Sequence, residues 1–400
     1  MKKLRLISLI GLIGLISPIC AEEQQADSTE GWQFTTIDSV GITPVKDQNR
    51  SGTCWCFSTL SFLESEILRT KGLELDLSEM FIVSHNMLDR ATYFVRQYGE
   101  GSQYAPGGSA YDVIYCMEHY GLVPQDAMPG IRYGDTLPNH TEVDVICKNF
   151  LNGLTGGKVK KLSPVWREAF QAIWDTYVGK CPETFVYAGK TYTPVEFKNW
   201  LGLKESDYVS LTSYTHHPFY ERFALEVPDN WRMDQMYNLP IEELMEVIDN
   251  AIRNGYTLAW GADISETGFT RKGVGVMPDA DHGADITGSD AAKWLGLSAD
   301  DKRKELTKKP LPEIEVTQEM RQKAYDNWET TDDHGMHIFG LAKDQNGKEY
   351  YMVKNSWGTA KSDYKGIWYV SRAFMAYKTN NIVVHKDALP KAIRKKLGIK

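Results

Sequence analysis

The stretch TCWCFS, residues 53–58, sets two cysteines either side of a tryptophan, so the first chemistry the chain offers is that of a thiol. Cys54 and Cys56 are a metal pair, a redox pair, or one reactive thiol beside an inert neighbour. Two positions along a helix amount to about 200° of rotation, so the two side chains then project to opposite sides and share neither an ion nor an unstrained bridge. Far downstream, TTDDHGMHIFGLAKDQNGKEYYMVKNSWG, residues 330–358, adds His334, His337 and Asn355. His334 and His337 invite a metal reading, but three positions apart in a strand they face opposite sides, and no metal site is expected from them. A thiol, an imidazole to take its proton and an amide to orient the ring form an activated nucleophile, and Cys54, His334 and Asn355 supply those types.

The elements that must position these groups are legible around them. From Thr53 to Lys71, apolar Cys56, Leu60, Leu63 and Ile67 recur at helical spacing with Glu64, Glu66 and Arg69 between them, which predicts an amphipathic helix. Ser51 or Thr53 is expected to cap its start, and Gly72 to end it in a left-handed conformation. Cys54 then lies in the first turn, where free N–H groups and the positive end of the dipole favour a thiolate, while Cys56 falls on the buried stripe. The downstream stretch reads as two strands around the turn signal Asn346-Gly347. A two-residue turn would oppose His334 to about residue 359, so bringing Asn355 back to His334 requires a longer turn or a bulge.

With 42% hydrophobic residues and 11 tryptophans in 400, the chain can bury a large core. Its net charge of −8 gives no basic footprint for nucleic acid, and none is expected as a partner. The start, MKKLRLISLIGLIGLISPICAEEQQADS, has the layout of a secretory leader with a cut after Ala21, so an exported protein, periplasmic or secreted, is expected. A lipid anchor on Cys20 is less favoured because Ile19 stands where a small residue is wanted. No other segment reads as membrane-spanning. Once the leader is removed, Cys54, Cys56, Cys116, Cys147 and Cys181 remain, an odd number that leaves at least one free thiol and shows no zinc spacing. Burial as small apolar side chains is the reading for Cys116, Cys147 and Cys181.

Three segments, in order, resemble one family. PVKDQNRSGTCWCFS, with Gln48 six residues before Cys54, is similar to the active-site segment of papain-like cysteine peptidases; DHGM resembles their histidine segment and VKNSWG their asparagine segment. GGSAYDVIYCMEHYGLVPQDAMPG and GYTLAWGADISETGF resemble passages of the bleomycin hydrolase and aminopeptidase C branch. Ser51, where secreted papain relatives usually carry a disulfide cysteine, fits that branch, as does the short lead to Gly41.

The resemblance implies an α+β, papain-like two-lobe fold with a cleft between the lobes. After a leader at 1–21, residues 22–400 would form one peptidase domain: a helical lobe at about 44–130, a helical insertion at about 131–238 and a β-barrel-like lobe at about 239–400. It implies that Cys54 attacks a peptide carbonyl, His334 donates a proton to the leaving amine, and Asn355 holds the ring. The Gln48 amide and the Cys54 N–H would form the oxyanion hole, and Trp357 would cover the His334–Asn355 contact. Gly107 and Gly108, lacking Cβ atoms, are expected to let substrate backbone approach the cleft wall. Asp333 either tunes His334 or is simply solvated. Peptides are the expected partners, no cofactor is implied, and the branch's hexameric barrels imply a homo-oligomer built through the insertion.

A papain-fold amidase or transpeptidase would keep the same residues, whereas a peptide-binding protein would be expected to lose some of them. Relatives in this branch hold the substrate's amine with a C-terminal arm. Here HKDALPKAIRKKLGIK leaves only Ile399 and Lys400 beyond the helix that resembles the one before that arm, and the end is cationic. The expectation is therefore a cysteine peptidase of relaxed position, able to cut inside peptides or remove more than one residue.

Overall fold

The structure, a computed structural model, describes residues 31–101, 103–279, 296–306 and 308–400; the leader and Cys20 readings fall outside these residues. Strand β1 (Phe34–Ser39) leads to three helices, α1 (Cys54–Lys71), α2 (Glu79–Arg96) and α3 (Ala110–Tyr120). Gly72 ends α1 as expected, at φ 62° with its N–H on Leu68 C=O. The amphipathic expectation fails, because every residue from Trp55 to Ile67 is buried. α1 is sandwiched between the other helices and the sheet, and its acids are satisfied by partners outside the helix and one turn along it. Glu64 accepts the Leu77 N–H at 2.9 Å and Lys46 Nζ at 3.1 Å, while Glu66 takes a bidentate contact from Arg69 at 3.0 and 2.6 Å.

Between residues 131 and 238 the chain first adds α4 (Thr141–Thr155), α5 (Trp166–Val178), the hairpin β2 (Phe185–Tyr187) and β3 (Lys190–Tyr192), and α6 (Pro194–Leu201). Val143, Phe170, Trp174 and Phe197 from these helices share one apolar core with Leu60, Phe81 and Val113. The rest of the segment is extended: β4 (Tyr208–Thr212), β5 (Arg222–Ala224) and β6 (Gln235–Asn238) join the main sheet.

That sheet is completed by β7 (Leu258–Ala262), β8 (Val274–Gly275), β9 (His334–Asp344), β10 (Glu349–Lys354), β11 (Ile367–Ser371) and β12 (Thr379–His385), in the order β5-β6-β4-β12-β7-β9-β10-β11-β8, with β1 added to β9. A helix, α7 (Ile241–Arg253), covers it with Leu244, Val247 and Ile248 in a second core that also holds Trp260, Met336, Val353 and Trp368. The two cores meet at α1 and β9, where the site lies. Gly347, at φ 83°, closes the β9–β10 turn, and the register slips between Met352 and Val353, the irregularity that the sequence requires.

Candidate active site

Cys54 opens α1, and its local chain leaves the helix start uncapped. Ser51 and Thr53 bond each other through their hydroxyls at 2.5 Å, so neither side chain takes the first-turn N–H groups. One of these, from Trp55, reaches the Cys54 thiol, and the Gly335 N–H reaches it from β9. Cys56 points elsewhere, its Sγ 3.5 Å from Glu79 C=O in the core. All five described cysteines are free thiols; Cys116 and Cys147 are buried, and Cys181 is half-buried.

His334, the first residue of β9, lines the same pocket as Cys54. Its Nε2 is 2.8 Å from Asn355 Oδ1, which also accepts the Ser356 N–H at 2.7 Å, leaving Nδ1 as the ring nitrogen for the thiol. Trp357 lies over the imidazole with ring centroids 4.8 Å apart and is itself packed edge-on against Trp368. The site thus depends on the strand partners: β9 pairs with β7 to place His334 opposite Ala262, and the slipped β9–β10 register returns Asn355 beside it. His337 is directed to α1, where Nδ1 meets Ser61 Oγ at 2.9 Å, as strand alternation predicts.

Gln48 is buried and tied to the asparagine segment. Its N–H donates to Ser356 C=O at 2.8 Å, and Ser356 Oγ donates to its Oε1 at 2.6 Å. Because the carbonyl end is occupied, the amide N–H₂ end is the one left to donate. Ser356 is a positioning group the sequence reading passed over, although it lies inside the VKNSWG segment.

The charge state differs from the expectation at the helix start. Burial pushes the Cys54 thiol up to about 12; the Gly335 N–H opposes this, the Asp229 and Asp332 carboxylates add to it, and the Trp55 N–H opposes it again. Burial likewise takes His334 down to about 4 against the Asn355 hydrogen bond. Either charge alone is disfavoured in so enclosed a site. Passing the proton from Cys54 to His334 creates both charges together, and their attraction offsets part of that cost. Asp333 is directed to Thr331 Oγ1 at 3.0 Å and to Asp263, and it is not among the groups that shift His334.

Gly108 lines the pocket, and a Cβ there would meet the Trp55 ring at 3.0 Å. Gly107 does not line it. The Asp229 carboxylate occupies the space where its Cβ would stand, 2.3–2.6 Å away. Val227, Asp229 and Asn230, from the loop before β6, thereby fill the side of the pocket that the sequence leaves open. Ile399 and Lys400 lie elsewhere, along a separate pocket beside Asp234. Nothing local to Val227–Asn230 marks it as part of the site; only the tertiary fold brings it there.

Among the described residues, one group has donor atoms converging as a metal would need: His216, His217 and Glu226, all within 4.8 Å of one another. Both imidazoles bond the one carboxylate, at 3.0 and 3.1 Å, and none of the three lines the Cys54 pocket.

The chain matches the papain family cysteine protease model over residues 30–120 and the peptidase C1-like family model over residues 309–399. Aminopeptidase G of Lactobacillus delbrueckii subsp. lactis is 25% identical over 87% of this chain and 82% of its own. Bleomycin hydrolase of Gallus gallus is 22% identical over 64% of this chain and 66% of its own. The crystal structure of PepW from Lactobacillus rhamnosis superposes with a TM-score of 0.67 at 19% identity, covering 91% of this chain and 84% of that one. The chain is a papain-like cysteine peptidase of the bleomycin hydrolase branch, with the α+β two-lobe fold of that family.

These relatives correct the expectation of an exported enzyme. They are aminopeptidases and bleomycin hydrolases, and the location printed in one relative's name, the yeast enzyme "Cysteine proteinase 1, mitochondrial", is inside the cell. Among the described residues no helix is long and apolar enough to cross a membrane.

Proposed function

We propose that this enzyme hydrolyses peptide bonds through Cys54, His334, Asn355 and Gln48, acting at the amino end of its substrates. The Cys54 thiol passes its proton to His334, and the thiolate forms an S–C bond to the substrate carbonyl. Negative charge gathers on the carbonyl oxygen, where the Cys54 N–H and the Gln48 amide stabilise it, each donor contributing about 10²–10³ in rate. His334 then gives its proton to the leaving nitrogen as the C–N bond breaks. Water, deprotonated by His334, releases the acyl group as a carboxylic acid and restores the thiol. Asn355 fixes the ring, and Trp357 keeps water from that contact.

The observation that carries this reading is the convergence of His334, bonded to Asn355 at 2.8 Å, and Cys54 on one pocket, with Gln48 locked at 2.6 Å by Ser356. The relatives named aminopeptidase support action at the amino end. A peptide-mixture digest followed by mass spectrometry, run beside Cys54→Ala, tests it: new termini in the Cys54→Ala digest would refute the assigned nucleophile.

A homo-oligomer, hexameric by the family resemblance, belongs to the same reading. Among the described residues, nine of the twelve exposed large hydrophobic side chains lie between residues 131 and 238, including Val145, Val165, Val186 and Met233. Their concentration in this one segment supports placing the contact with another copy there. Light scattering that returns a monomer at micromolar concentration would refute it.

A further inference from the structure

The pocket beside Cys54 contains more negative charge than its partners neutralise. Asp229 lies over Gly107, its N–H donates to Asp332 Oδ2 at 3.3 Å, and both carboxylates line the pocket with Cys54 and His334. The nearby cation, Arg90, is largely committed. Its Nε and one terminal nitrogen donate to Gln103 C=O at 3.3 and 3.2 Å, its other nitrogen donates to Gly107 C=O, and it stands 3.8 Å from Asp229. Asp112, the other acid acting on Asp229, is already held by Arg232 at 2.6 Å. Asp229 thus lacks a direct cationic hydrogen bond, receives only the Gly108 N–H, and keeps 27% of its side chain exposed.

Burial raises both acids, Asp229 to about 6 and Asp332 to about 7, with Arg90 opposing at Asp229 and the Asp229 charge adding at Asp332. Two acids so placed favour a cation between them. The space between these side chains has room for about two water-sized groups, and it opens to solvent. A primary ammonium is small enough to sit there against the two carboxylates.

We propose that Asp229, backed by Asp332, binds the free α-ammonium group of the peptide substrate and thereby sets how far from the amino end the enzyme cuts. This rests on the peptidase reading above and deepens it. Asp229 is a specificity residue that touches the substrate and takes no part in bond breaking. It is supplied by the loop between β5 and β6, a place that neither the motifs nor the chain's ends point to.

The test compares kcat/KM for one fluorogenic peptide with a free and with an acetylated amino end, in the native protein, Asp229→Asn and Gly107→Ala. Gly107→Ala keeps every charge but puts a Cβ where the carboxylate stands. Native enzyme should prefer the free amine by about 10–100-fold, the range of a charge-assisted hydrogen bond. Both variants should lose most of that preference while still cleaving the acetylated peptide. A preference that survives both substitutions overturns the proposal.

A third substrate, acetylated but carrying lysine as its acyl residue, separates the two sources of an ammonium: rescue by that side chain would also overturn it. Alkylation of Cys54 by a peptidyl epoxide, read by mass, reports whether each variant is folded and reactive. No labelling and no cleavage of any peptide by native enzyme would instead refute the peptidase reading. Should Asp229→Asn fail to label, Gly107→Ala and Asp332→Asn carry the comparison.

Discussion

Ser356→Ala measures how much the aim of Gln48 matters. The hydroxyl of Ser356 donates to Gln48 Oε1 at 2.6 Å, while the Gln48 N–H is held independently by Ser356 C=O at 2.8 Å. Alanine keeps the backbone bond and removes the hydroxyl that holds the amide oxygen and so leaves the N–H₂ end free to donate. A neutral hydrogen bond contributes about 0.5–1.5 kcal/mol net, so the donating orientation loses that much preference and kcat/KM should fall about 2- to 13-fold. Gln48→Ala, which removes the donor itself, should cost about 10²–10³.

If Ser356 acts through Gln48, the two losses do not multiply, and Ser356→Ala should change nothing in a Gln48→Ala background. The assay is kcat and KM for all four proteins, normalised to Cys54 sites titrated with a peptidyl epoxide. An equal loss in both backgrounds would show that Ser356 works by some other route. No loss in the native background would show that Gln48 needs no such fixing.

His334→Ala should abolish turnover, whereas His337→Ala should keep it and lose about 1–3 kcal/mol of stability with the buried Ser61 contact, read by chemical denaturation; the opposite pattern would mean that the wrong histidine faces the thiol. Gly335→Ala puts a Cβ 2.8 Å from Ser58 Oγ and 3.1–3.2 Å from the Trp55 backbone, so α1 and β9 must part directly behind Cys54. It should cost about 1–3 kcal/mol and, by misplacing His334, about 10²-fold in kcat; unchanged kcat with lowered stability would show that the pair tolerates the shift.

The reacting residues were legible because their neighbours in sequence also fix their local structure: Cys54 at a helix start, His334 at a strand start, Asn355 just past the returning strand. What escaped the sequence was set by packing, in most cases against groups outside the local segment. Glu64 and Glu66 read as solvent-facing, yet both are buried, because Lys46, Leu77 and Arg69 satisfy them. The helical spacing of apolar residues is the same whether polar positions face water or such partners, so periodicity alone does not separate the cases. The thiol's direction failed for a similar reason: a first-turn position argues for thiolate, but enclosure by the lobes and the approach of Asp229 and Asp332 are tertiary. Asp229 lies in VPDN, a stretch that reads as an ordinary polar turn until the fold sets it against Gly107.

An ammonium group held by Asp229 and Asp332 also changes the chemistry of Cys54. Burial is the chief reason the thiol resists ionising, and the two carboxylates add to that resistance. A cation between them cancels their field at the sulfur, so the thiol's pKa must move down on binding, and the proton passes to His334 more readily with the proper substrate in place than in the empty cleft. Asp229→Asn removes one of the charges permanently and should move the thiol the same way without any ligand.

The readout is alkylation of the free enzyme by iodoacetamide, a small neutral probe that needs the thiolate and ignores the amine site. At pH 7, Cys54 should be alkylated faster in Asp229→Asn than in the native protein, even as the variant loses its preference for free-amine peptides. A selective enzyme should thus become a more reactive and less discriminating one. Slower alkylation in the variant would mean that Asp229 supports the thiolate, and the account of charge in this cleft would then have the wrong sign.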